Sequence, residues 1–126
     1  MAERVVVADR RATPGLQLLR GVHGLDVIET VGKGPAALAD ALVDAAALIV
    51  RSETQVTAEL MAAALKLRVV ARAGIGTDNI DVEEATRRGI PVLTAPGANS
   101  TSAAEHAMAM MLALARRVPA EDRGGD

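Results

Sequence analysis

Three polar segments of this chain hold the side chains with most to offer chemically: Arg51-Ser52-Glu53-Thr54, Arg72-Ala73-Gly74-Ile75-Gly76-Thr77-Asp78-Asn79 and Thr94-Ala95-Pro96-Gly97-Ala98-Asn99-Ser100. Arginine presents a planar fork of donors that matches carboxylate and phosphate oxygens. Closely spaced glycines, as in Gly74-Ile75-Gly76, let backbone N–H groups approach an anion. With an Asn99-Ser100 helix start, these residues describe a pocket for a small, multiply charged anion. Singly, each has a plainer use: an arginine as a surface ion-pair partner, a glycine as relief in a tight turn, Asn-Ser as a helix N-cap. The case for a pocket rests on all three segments lying at one edge of the fold.

The elements that would position them alternate strictly. Strands are expected at Arg4–Ala8, Asp26–Thr30, Ala47–Val50, Val69–Ala71 and Ile90–Leu93, and Pro91 suits an edge or a strand start. Helices are expected from Pro14 to about Val22, from Pro35 to about Asp44, from Thr57 to about Leu65, after Asp81, and from about 100 to 118 before Pro119. Asp81 and Glu84 stand at capping-box spacing. Short, continuously apolar strands belong to a sheet covered on both faces, and βα alternation with short loops implies parallel strands. The expected fold is α/β: a flavodoxin-like three-layer αβα sandwich with a five-stranded parallel sheet in the order 2-1-3-4-5. It forms one domain over residues 1–119, with a flexible tail at 120–126. In such a sheet ligands bind outside the carboxyl ends of the strands, where the three polar segments fall.

Other chemistries are excluded or weak. With 14 Lys and Arg against 16 Asp and Glu, the formal net charge of −2 lacks the basic footprint of nucleic-acid binding. The chain has no Phe, Tyr or Trp, which removes base-stacking platforms and aromatic cages. It has no cysteine, hence no disulfide, thiolate metal site or cysteine nucleophile. Gly74-Ile75-Gly76 is no dinucleotide fingerprint, because Asn79 stands where the third glycine belongs and the motif follows the fourth strand instead of the first. Asp9 at the end of the first strand suggests a phosphoacceptor pocket, but the third strand ends in Arg51 where that pocket needs its aspartate. His23 and His106 lack metal-like neighbours, and no serine sits in a nucleophile elbow. The start of the chain does not resemble a signal peptide, and its longest apolar run, Ala107–Ala115, is far short of the roughly 20 residues of a membrane helix. A soluble, cytoplasmic protein is expected.

The segments Leu48–Thr57, Arg72–Asp81 and Asn99–Glu105 resemble D-2-hydroxyacid dehydrogenases, and the likeness runs from about Leu48 to Pro119. The Arg-Ser-x-Thr stretch inclines toward the members that act on 3-phosphoglycerate. The resemblance implies two lobes of similar βα architecture, of which this would be the substrate-binding one. It assigns Arg51, with Ser52 beside it, and Arg72 to the anionic groups of the substrate. It places the Gly74-Ile75-Gly76 amides at the substrate carboxylate, with Ile75 on the nicotinamide side, and Asn99-Ser100 at the cleft wall. The last helix would then cross to an NAD lobe. The glycine-rich nucleotide site, the general-acid histidine and its carboxylate partner come later in the family than Asp126, so a truncated lobe is expected: without a cofactor or metal of its own, without catalytic residues, inactive alone, and at most a weak binder of a phosphoglycerate-like anion. Two other readings stay open: a flavodoxin-like binding or scaffold module, including an engineered or ancestral half, and a complete enzyme of another type. A homodimer is expected through the last helix, whose Met108, Met110, Met111, Leu112 and Leu114 leave it apolar around its circumference.

Overall fold

A computed structural model describes residues 3–9, 17, 20–72, 76–94 and 109. Five strands alternate with helices: β1 (Glu3–Val7), β2 (Leu25–Glu29), α1 (Pro35–Leu42), β3 (Ala45–Val50), α2 (Ala58–Ala63), β4 (Val69–Arg72), α3 (Val82–Arg87) and β5 (Val92–Thr94). All pairings are parallel and the order is β2-β1-β3-β4-β5, as the βα rhythm predicts. β3 lies at the centre and every one of its residues is buried, which suits a run with no polar side chain from Ala45 to Val50.

Alternate residues of each strand feed two separate cores. Val6, Leu48, Val50 and Val70 pack with Leu42, Met61 and Ala85, so α1, α2 and α3 cover one face. Val5, Val7, Val27, Ala47, Ile49, Val69 and Ala71 form the buried cluster of the other face. Gln17, Arg20 and Ala109 are helical, while Gly21 and Val22, the expected end of the helix from Pro14, form a turn and a bend; the other residues of the helices expected at 14–22 and 100–118, the tail, and the proposed dimer contacts Met108, Met110, Met111, Leu112 and Leu114 lie outside the described residues. Among the described residues no helix is long and apolar enough to cross a membrane.

Local signals set the element ends. Thr57 caps α2 by accepting from the Leu60 N–H, and Asp81 caps α3 by accepting from the Glu84 N–H. Several boundaries differ from expectation by one or two residues; β3 begins at Ala45 instead of Ala47, and α1 ends at Leu42 instead of about Asp44. α2 ends at Ala63 instead of Leu65, and Leu65 is exposed. β5 begins at Val92 instead of Ile90, because Gly89, at φ 73, closes α3 and the Ile90 N–H is used on the Ala85 carbonyl. Pro91 sits just before the strand, with its carbonyl accepting from the Val70 N–H, a position that needs no N–H of its own.

Candidate functional site

The loops that leave β1, β3 and β4 at their carboxyl ends meet around one buried carboxylate. Asp9, only 3% exposed, follows β1 directly. Its Oδ2 accepts from the Arg51 N–H at 2.8 Å and the Thr54 N–H at 3.0 Å, and its Oδ1 accepts from the Thr54 hydroxyl. A buried carboxylate needs such donors. Three of them lie on one turn, so Asp9 shapes the segment that begins with Arg51.

The loop after β4 grips the same segment from its other side. The Val56 N–H donates to the Asn79 carbonyl at 2.7 Å, and the Asp81 N–H donates to the Val56 carbonyl at 2.9 Å. These bonds form a short parallel bridge between Val56 and Ile80, which extends the β3–β4 pairing past the strand ends. The Asn79 side chain, 6% exposed, donates through Nδ2 to the carbonyls of Arg51 and Thr54, both at 2.7 Å.

Arg72, the last residue of β4, donates from Nε to the Arg51 carbonyl at 3.1 Å. Its Nη1 stands 2.9 Å from the place a Cβ would occupy on Gly76, closer than real Cβ contacts allow. Gly76 is therefore used for close approach and not for backbone conformation, since positive φ among the described glycines occurs only at Gly24, Gly32, Gly34 and Gly89. Of the residues expected to hold an anion, Arg51, Ser52, Arg72 and Gly76 are brought to one edge, with Arg51 and Ser52 exposed and Arg72 half-buried. Gly74, Ile75, Asn99 and Ser100 lie outside the described residues. Sequence reasoning missed Asp9, Thr54 and Asn79 as the frame of this edge.

Two cavities adjoin it. The larger, about 630 Å³, opens between β1, β2, α1 and α2 and is lined by Asp9, Thr30, Leu38, Glu53, Thr54 and Leu60 among others. The smaller, about 220 Å³, lies between the two loops, beside Gln55, Asp78, Asn79 and Ile80. Neither has Arg51 or Arg72 among its described lining residues. Among the described residues no group of three His, Asp or Glu side chains is placed to hold a metal ion.

Residues 5–118 match the family described as D-isomer specific 2-hydroxyacid dehydrogenase, catalytic domain. The chain belongs to this family. It is 43% identical over 120 residues to the D-3-phosphoglycerate dehydrogenase of Archaeoglobus fulgidus, covering 95% of this chain and 23% of that protein. The crystal structure of the NAD+-bound 3-phosphoglycerate dehydrogenase of Entamoeba histolytica superposes with a TM-score of 0.68 at 28% identity, over 77% of this chain and 34% of that one. The TT0316 protein of Thermus thermophilus gives the same TM-score, 0.68, at 35% identity over 97% of this chain and 40% of its own. The chain thus spans about a fifth of the length of the curated relatives it matches.

NAD, the cofactor the dehydrogenase family implies, can be tested against the geometry. In a doubly wound sheet the phosphates of a dinucleotide sit where the strand order reverses, here between the ends of β1 and β3. At that point Asp9 takes the Arg51 and Thr54 N–H groups that a phosphate would need, and adds a negative charge of its own. The described residues do not fit a dinucleotide there.

Proposed function

We propose that this dehydrogenase-family chain is the substrate-binding lobe of an enzyme that oxidises 3-phosphoglycerate, the reaction that leads toward serine. The observation that carries the reading is the anchoring of Arg72 on the Arg51 carbonyl, which brings two guanidinium-bearing residues to one sheet edge beside a glycine that leaves Arg72 room. 3-Phosphoglycerate is a match in charge, with a phosphate at one end and a carboxylate at the other. The 43% identity to the Archaeoglobus enzyme supports the same substrate. Arg51, Ser52 and Arg72 bind the anionic groups, the Gly74-Ile75-Gly76 amides receive the carboxylate, and Asn99-Ser100 close the cleft wall. With Nε engaged on a carbonyl, Arg72 keeps its Nη edge for the ligand, so its orientation is set before binding.

Hydride removal requires a bound nicotinamide, whose chemistry is the cofactor's own. The pyrophosphate position in this sheet is taken by Asp9. The residues of this chain therefore bind and orient the substrate, and the cofactor and the acid–base group come from the second lobe of the family. The 126 residues alone are inactive. In cells such a lobe works in the cytoplasm.

Calorimetric titration with 3-phosphoglycerate, and with inorganic phosphate as a minimal anion, tests the reading. Replacing one charge-assisted contact by Arg72→Ala costs on the order of 1.5–3 kcal/mol of binding. Unchanged binding in Arg72→Ala removes the pocket assignment. A wild-type chain indifferent to both anions favours a non-catalytic binding or scaffold module.

A further inference from the structure

We propose that Asn79 is a positioning residue for the Arg51–Arg72 anion grip, an inference that rests on the functional reading above. A carbonyl oxygen has two lone pairs. That of Arg51 receives two donors, Arg72 Nε at 3.1 Å and Asn79 Nδ2 at 2.7 Å. The second hydrogen of the same amide fixes the Thr54 carbonyl at 2.7 Å. Asn79 thus holds the two carbonyls that bracket the loop, and one of them is the anchor from which Arg72 hangs.

The amide is single-purpose. Its Oδ1 is buried with no partner, and turning the amide over would set that oxygen against two carbonyl oxygens. Asn79 therefore accepts an unsatisfied acceptor to supply both donors, a cost that a residue kept only to fill space would avoid. Asp9 holds the N–H groups of the same loop, but its bonds reach Arg51 and Thr54 and not Arg72. The carbonyl side of the loop, and with it the direction of the Arg72 guanidinium, is set by Asn79.

Asn79→Leu keeps the branched outline of the side chain, with bulkier methyl groups, deletes both donors and removes the orphaned oxygen. The expected result is about tenfold weaker binding of 3-phosphoglycerate and phosphate, the effect of misaligning one contact, beside a loss of stability from the Thr54 carbonyl left without this donor. In parallel, the NMR signal of the Arg72 Nε–H should shift and exchange faster with water. Should the leucine variant not fold, Asn79→Ala is measured instead, alone and combined with Arg72→Ala. If Asn79 acts through Arg72, the second substitution weakens binding less once Arg72 is gone. Anion affinity within twofold of wild type, an unmoved Arg72 signal, or fully additive losses would each overturn the assignment. Failure of the wild-type protein to bind either anion refutes the functional reading instead, and the Arg72 signal then decides alone whether Asn79 sets that guanidinium.

Discussion

Replacing Asp9 separates two things its carboxylate supplies, shape and charge. A hydrogen bond to a charged group contributes about 1.5–3 kcal/mol net, and Asp9 accepts from the Arg51 N–H, the Thr54 N–H and the Thr54 hydroxyl. The three share one turn, so their contributions do not simply add, and water reaches the exposed Arg51 to replace part of the loss. Asp9→Ala should therefore destabilise the domain by about 3 kcal/mol, chiefly by leaving the Thr54 groups unpaired. Asp9→Asn is different. Its oxygen can take both N–H groups, while its Nδ2 donates to the Thr54 hydroxyl, which turns from donor to acceptor. Only charge assistance is lost, and the cost should be about 1 kcal/mol. With a shift of roughly 4 °C in Tm per kcal/mol for a domain of this size, the two variants should melt about 12 °C and 4 °C below wild type. The chain has no Trp, Tyr or Phe, so unfolding must be followed by far-ultraviolet circular dichroism and not by intrinsic fluorescence. Equal losses in the two variants, or a loss under about 1 kcal/mol in Asp9→Ala, would refute the claim that this carboxylate organises the loop.

Gly76→Ala places a methyl group 2.9 Å from Arg72 Nη1, and only the end of a flexible side chain has to move. Stability should stay within about 0.5 kcal/mol of wild type while phosphate affinity drops several-fold, measured by urea titration and calorimetry on the same preparation. Purified wild-type chain incubated with NAD and 3-phosphoglycerate should produce no NADH above a heat-killed control. A homodimer through the apolar last helix, inferred from sequence, should show by light scattering coupled to size exclusion, and Met111→Glu should shift it toward monomer.

The fold was legible because its strands carry their own signal. Val5-Val6-Val7, Leu48-Ile49-Val50 and Val69-Val70 are β-branched or apolar runs too short for helices and separated by helical stretches. Boundaries slipped where composition misleads. Ala45 and Ala46 begin β3, although alanine is the best helix former, because both faces of the central strand are buried and small side chains fit there. Caps were legible wherever both partners lie within one turn, as with Asp81 and Glu84. The frame of the site was not. Asp9 and Thr54 are 45 positions apart, and Asn79 bonds carbonyls 25 and 28 positions away. No window of sequence relates such groups, since their meeting depends on β1 and β4 flanking β3 in register. Asp9 drew notice only as a phosphoacceptor candidate, and Asn79 only as the residue that spoils a glycine motif.

On the functional reading proposed above, charge, more than volume, would decide which side of the loop after β3 receives an anion. One flank of that loop, Glu53, Thr54, Gln55 and Thr57, lines the larger cavity of about 630 Å³, which has ample room for a phosphoglycerate. Yet Asp9, Glu53 and Glu59 also line it, and no described lysine or arginine does. A phosphate there would meet like charge, most strongly at the buried Asp9 and less at the solvent-screened Glu53 and Glu59. The other flank turns the Arg51 carbonyl toward Arg72 and Asn79. There the interaction changes sign for every guanidinium an anion meets. The acidic flank thus disfavours an anion in the cavity, and its Asp9 carboxylate is engaged on the N–H groups of the loop.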